Sequence, residues 1–91
     1  MKRITAVAHG RVQGVGYRYY VSDCACDTGV SGYVKNLPDG SVFIVAEGSR
    51  EALDMFTSLL RAPGDTVIRV RDLVVTPGGA TGEFRGFGVR W

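Results

Sequence analysis

Hydrophobic and polar positions along the chain change period at short intervals, and each change marks an element. Residues 4–9 alternate, with Ile4, Ala6 and Ala8 on one side, which predicts a strand. Glycines at 10, 14 and 16 break that pattern. From residue 17 the spacing turns helical: Tyr17, Tyr20, Val21, Cys24 and Thr28 recur on one face, and Gly29 is placed to stop the helix. A short strand is predicted over residues 32–36. Leu37-Pro38-Asp39-Gly40 then reads as a turn, because Pro presets φ and Gly tolerates positive φ. The returning strand covers residues 41–47, with Val42, Ile44 and Ala46 facing one way and Phe43 and Val45 the other. Ser49 is placed to cap a second helix over residues 50–61, whose apolar face is Ala52, Phe56, Leu59 and Leu60 and which Pro63-Gly64 ends. A β-rich strand over residues 66–76, a loop over 77–82 and a last strand over 84–91, with Phe87, Val89 and Trp91 alternating, complete the chain.

The order β-α-β-β-α-β with a short C-terminal fifth strand predicts an α+β, ferredoxin-like sandwich: a mostly antiparallel sheet with two helices on one face. The right-handed crossover rule leaves few other windings. In this topology the first two strands run parallel with the third between them. The loop after His9 and the residue Asn36 are therefore predicted to be neighbours, although they lie far apart in the chain.

Bulk properties narrow the function. With 91 residues the expectation is one domain, 1–91, and 45% hydrophobic with 22% charged residues argues against disorder. A net charge of +2 gives little whole-molecule attraction to nucleic acid. No apolar run approaches the ~20 residues of a membrane span, and residues 4–8 are too short and mixed for a signal-peptide core. The expectation is a cytosolic protein without nucleic-acid or membrane partners. Cys24 and Cys26 sit two apart on a predicted helix, where side chains diverge, so they read as separate thiols. One His and two Cys make a poor zinc site.

The candidate chemistry lies in Gly10-Arg11-Val12-Gln13-Gly14-Val15-Gly16-Tyr17-Arg18, which runs from a strand end into a helix start. The first N–H groups of a helix lack internal partners, the helix dipole is positive there, and glycines let neighbouring N–H groups converge on an anion. Arg18 in the first turn adds a planar fork of donors suited to phosphate. The loop is neither a Walker A sequence, since Val15 stands at the second glycine position, nor a dinucleotide fingerprint, since Tyr19 stands at the third.

That segment closely resembles the first signature of the acylphosphatase family. Gly32-Tyr33-Val34-Lys35-Asn36-Leu37-Pro38-Asp39-Gly40-Ser41-Val42, with Gly48 beyond, resembles the second, and residues 81–91 resemble the family's C-terminus. The resemblance implies a metal-independent, cofactor-free cytosolic hydrolase of the carboxyl–phosphate anhydride bond. It implies an acyl phosphate substrate, inorganic phosphate as product and inhibitor, and a monomer. It also implies that Arg18 and the loop of Gln13, Gly14, Val15, Gly16, Tyr17 and Arg18 hold the phosphate, while Asn36 positions the attacking water. Tyr17 replaces the usual phenylalanine, which is expected to bring a phenol near the loop, and Trp91 stands where tyrosine is common.

The chemistry of the bond fits a site so sparsely equipped. There is no Ser-His-Asp set and no paired carboxylate in the motifs. An acyl phosphate expels a weakly basic carboxylate, so it needs no general acid, and backbone donors, one Arg and one amide suffice by orientation and charge stabilisation. Bland readings stand beside these. Asn36 is a common turn residue, Gln13 reads as structural, and His9 as satisfied or solvent-facing. Arg69, Arg71, Arg85 and Arg90 read as solvated positions or sheet-surface ion pairs. A non-enzymatic RNA-binding module shares the element order, but residues 41–47 offer only Phe43 for stacking.

Overall fold

A computed structural model describes residues 1–91. The elements are β1 (Lys2–Arg11), α1 (Tyr17–Thr28), β2 (Ser31–Asn36), β3 (Val42–Gly48), α2 (Arg50–Leu59), β4 (Arg69–Gly78) and β5 (Phe87–Arg90). They form one sheet in the order β4-β1-β3-β2-β5 with both helices packed on one face. β3 pairs antiparallel with β1 and with β2, so β1 and β2 run parallel on either side of it, as expected. β5 runs parallel to β2 at the sheet edge.

The core lies between that face and the helices. β1 supplies Ala6 and Ala8, and β3 supplies Val42, Ile44 and Ala46, all almost fully buried. The alanines leave room for α1, which presents Tyr17, Val21, Cys24 and Ala25, and for α2, which presents Leu53 and Phe56. Gly29 closes α1 in the left-handed conformation, its N–H donating to Ala25 O. Ser49 caps α2 by accepting from Ala52 N–H. Cys24 is buried and Cys26 exposed, and neither is bridged. No helix is long and apolar enough to cross a membrane.

The late elements depart from the pattern. α2 ends at Leu59 rather than Arg61. β4 begins at Arg69 rather than residue 66, because the Asp65 carboxylate accepts from Val67 and Ile68 N–H groups and folds those residues into a turn. It then runs on through Pro77, which pairs with Ile4; an edge strand tolerates a residue without an N–H. β5 is confined to Phe87–Arg90. The segment between β4 and β5 lies against the sheet face away from the helices. There the buried Glu47 carboxylate accepts from Thr81 and Gly82 N–H groups and pairs with Arg3 at 2.7 Å. These contacts hold the Glu47 carboxyl down at about 2, the Thr81 N–H being the largest cause. Nothing in a strand pattern ending at residue 47 distinguishes this carboxylate from a solvated one.

Candidate functional site

Between the end of β1 at Arg11 and the start of α1 at Tyr17 the chain turns through residues 12–16, and Val12 and Tyr17, each 1% exposed, anchor the two ends in the core. Gly14 (φ 74°) and Gly16 (φ 82°) adopt left-handed conformations that other residues reach only under strain. No backbone hydrogen bond outside the helices and strands is donated by residues 12–16. Gly16, as N-cap of α1, has no side chain to offer the first turn, and that turn holds no acidic residue. The loop and helix start therefore present free N–H donors and the positive end of the helix dipole, with nothing neutralising them.

Arg18 and Asn36 meet here, although separated by a helix and a strand in sequence. A pocket of about 180 Å³ is lined by Val12, Gly14, Gly16, Tyr17, Arg18, Tyr19 and Asn36. Parallel β1 and β2 bring the loop and Asn36 to the same end of the sheet. Gln13 and Val15 do not line the pocket. The Gln13 side chain donates from Nε2 to Leu37 O and to Ser41 O, both at 2.8 Å, and so ties the loop to the β2–β3 turn. Val15 packs against the core.

Asn36 is the informative residue. The turn it borders is closed by other groups: Leu37 N–H donates to Ser41 O, and the Asp39 carboxylate accepts from Ser41 N–H at 2.9 Å and from the Ser41 hydroxyl. The Asp39 carboxyl is held below its usual range by those Ser41 bonds, the hydroxyl foremost. Asn36 takes no part. Its Oδ1 is the one buried side-chain oxygen or nitrogen without a partner in the molecule, and its Nδ2 is the end left accessible. An orphaned buried acceptor costs about 1–3 kcal/mol.

Arg18 is held from a direction the motif did not indicate. Its Nη1 donates to Arg90 O at 3.1 Å, and its guanidinium lies 4.0 Å from the centroid of the Trp91 ring. Arg90 is exposed, as one of the two readings expected, and forms no ion pair; its guanidinium stacks 3.7 Å over Tyr33. The signal that could have located these residues is topological. β5 parallel to β2 must end at the same sheet edge as Asn36.

The expectation for the Tyr17 phenol is also corrected. Its hydroxyl points away from the loop and donates to Leu60 O at 2.6 Å, and the neighbouring Tyr20 hydroxyl donates to Leu59 O at 2.6 Å. The last carbonyls of a helix lack partners within it, and although Leu59 O also accepts from Ala62 N–H, the two phenols dock α1 onto the end of α2. Burial pushes both phenols above their ordinary range. No group of three or more His, Cys, Asp or Glu is arranged to hold a metal ion.

Comparison with known proteins identifies one family over nearly the whole chain. The acylphosphatase family model matches residues 4–89. The chain is 46% identical to an acylphosphatase of Thermus thermophilus over 98% of this chain and 99% of that one. It is 45% identical to one of Methanospirillum hungatei over 82% of each. The crystal structure of acylphosphatase from Bacillus subtilis superposes with a TM-score of 0.93 at 35% identity over the whole of both chains.

Proposed function

The chain belongs to the acylphosphatase family and is a hydrolase of acyl phosphates; on that premise we propose how its own residues carry out the reaction. The phosphoryl group sits in the loop of residues 13–18, on the N–H groups of the pocket-lining Gly14, Gly16 and Tyr17 and on the guanidinium of Arg18, while Gln13 and Val15 fix the loop's shape. Asn36 holds the attacking water. The Asn36 Nδ2, the accessible end of the amide, donates to the water oxygen. That leaves one water lone pair to attack phosphorus and both water protons free to face phosphate oxygens. The bond to the acyl oxygen breaks, the carboxylate leaves with the electron pair, and a phosphate oxygen takes the water proton. No protein group titrates in this scheme and no metal is needed. Charge on the phosphoryl oxygens is met by donors already in place, which is the largest source of catalysis such a site offers.

The single observation that carries this reading is Asn36. An amide whose Oδ1 has no partner and whose Nδ2 is left accessible at a pocket of unpaired N–H donors, while its own turn is closed by Asp39 and Gln13, supports a role in holding a ligand. We further read the protein as a single-domain cytoplasmic monomer that releases inorganic phosphate and is inhibited by it. The test is hydrolysis of benzoyl phosphate with and without EDTA. Turnover is expected to be unchanged by EDTA and by added magnesium, and nearly abolished in Arg18→Ala, with Arg18→Lys rescuing little because a point charge cannot reproduce the fork. A metal requirement, or near-normal kcat/KM in Arg18→Ala, refutes the scheme.

A further inference from the structure

A second feature lies outside the catalytic pocket and shares no residue with it. Two adjoining cavities of about 450 and 410 Å³ open beside the start of β4, and both are lined by Arg61 and Arg71. The second is also lined by Arg11 and Arg69. The carboxylates present are Asp65 and Asp72. Four arginines against two aspartates leave +2 here, which equals the net charge of the whole chain, so the remaining 7 basic and 7 acidic residues cancel. The excess positive charge of the molecule is therefore concentrated in this groove.

Three features show that the groove is built at a cost. Arg11 and Arg69 stand directly opposite each other in the β1–β4 register, and like charges at such positions repel. No carboxylate lies within salt-bridge distance of Arg11, Arg61 or Arg69. Asp65 is engaged by the N–H groups of its own turn, and Asp72 pairs only with the adjacent Arg71, at 2.9 Å.

Next, the register jumps from His9 opposite Asp72 to Gly10 opposite Val70, which leaves Arg71 as the extra residue of a β-bulge. Bulges re-aim side chains, and this one explains how Arg71 reaches both cavities from an edge strand. The bulge requires Gly10: at φ 130° a Cβ there would stand 2.2 Å from Arg69 O.

Finally, Ala62, beside Arg61, is the one non-glycine residue at positive φ (49°). Strain of this kind persists where the surroundings over-determine it, as at ligand clamps.

We propose that this groove is a second anion site, separate from the catalytic pocket, that takes a chain of linked phosphates. Guanidinium forks match phosphate oxygens. Their distribution over two adjoining cavities, with Arg61 and Arg71 shared, suits several linked phosphates better than one. No Phe, Tyr or Trp lines either cavity, so nothing is provided to stack a base. The phosphate chain, and not a nucleoside attached to it, is the recognised part.

The test is calorimetric titration of the protein with tripolyphosphate, ATP, orthophosphate and a single-stranded oligonucleotide. Titrations use wild type, the Arg69→Ser/Arg71→Ser double variant and Arg18→Ala. Tripolyphosphate is expected to bind more tightly than orthophosphate and no less tightly than ATP. The affinity should fall about tenfold or more for each guanidinium removed, and it should survive in Arg18→Ala. Because the double variant relieves repulsion, its Tm without ligand should be at or above wild type, and the rise in Tm that tripolyphosphate gives wild type should vanish. Benzoyl phosphate turnover should be unchanged in the double variant. The proposal is overturned if tripolyphosphate binds no better than orthophosphate, or if its binding is lost in Arg18→Ala and kept in the double variant. It is also overturned if the oligonucleotide binds more tightly than tripolyphosphate.

Discussion

Replacing Asn36 by Ala separates catalysis from folding more cleanly than any other change in this site. In the folded state the Asn36 Oδ1 is buried without a donor, an arrangement that costs about 1–3 kcal/mol and that alanine relieves. Against this, alanine gives up the packing of a half-buried side chain that makes no hydrogen bond in its turn. The two terms are of similar size and opposite sign, so stability should change little. For a domain of this length about 1 kcal/mol moves Tm by roughly 4–8 °C, so a Tm within a few degrees of wild type is expected. The rate is another matter. Losing one positioned hydrogen-bonding group at a phosphoryl centre should lower kcat about 10²–10³-fold, equivalent to about 2.7–4 kcal/mol of transition-state stabilisation.

Since the group acts on the way to the transition state, kcat and kcat/KM should fall together, with inhibition by inorganic phosphate unchanged. Asn36→Asp sharpens the test. It keeps the shape, replaces the accessible donor with an acceptor, and sets a negative charge beside the phosphate. Turnover should again collapse, and phosphate inhibition should now weaken too. Benzoyl phosphate kinetics, phosphate inhibition and thermal melting on the three proteins decide the matter. If Asn36→Ala melts about 4–8 °C early yet turns over within a few-fold of wild type when folded, the amide is structural and the proposed water site is wrong.

Other consequences follow from the contacts around the site. Trp91→Ala removes the ring under Arg18 and should lower kcat/KM about 2–5-fold, the effect of a partly exposed cation–π contact, with melting unchanged; an unaffected kcat/KM would show that the stacking does not position Arg18. Tyr17→Phe leaves the Leu60 carbonyl buried without a donor and should destabilise the protein by about 1–3 kcal/mol in urea unfolding. The Glu47 carboxyl is lowered from 4.5 to about 2 on folding, so its contribution is fully present above pH 4.5 and drains away as pH falls toward 2. Glu47→Gln should flatten that part of the stability–pH curve; an unchanged acid limb would mean that other carboxylates dominate acid unfolding.

The period of the hydrophobic pattern determined most of the early half of the fold. β1, α1, β2 and β3 match the pattern because each turns an apolar set of positions toward the layer between sheet and helices, and burial on that side is written in local spacing. The loop motif likewise needed only local chemistry: glycines that permit positive φ, and a helix start with nothing to neutralise it.

What tertiary structure decided has a common physical cause, which is contact between groups remote in sequence. Glu47 looks like the end of a strand until the β4–β5 segment brings Thr81 and Gly82 N–H groups onto its carboxylate. Tyr17 looks like a phenol beside the loop until α2 presents the Leu60 carbonyl. Asn36 reads as a turn residue by propensity, and only the full hydrogen-bond accounting shows that Asp39 and Gln13 close that turn instead. Arg18 announces itself from its motif, but its hold on Arg90 O and Trp91 comes from a parallel edge strand whose placement depends on the whole sheet. Spacing along the chain records which face of an element is buried; it does not record which carbonyl, amide or ring will be waiting there.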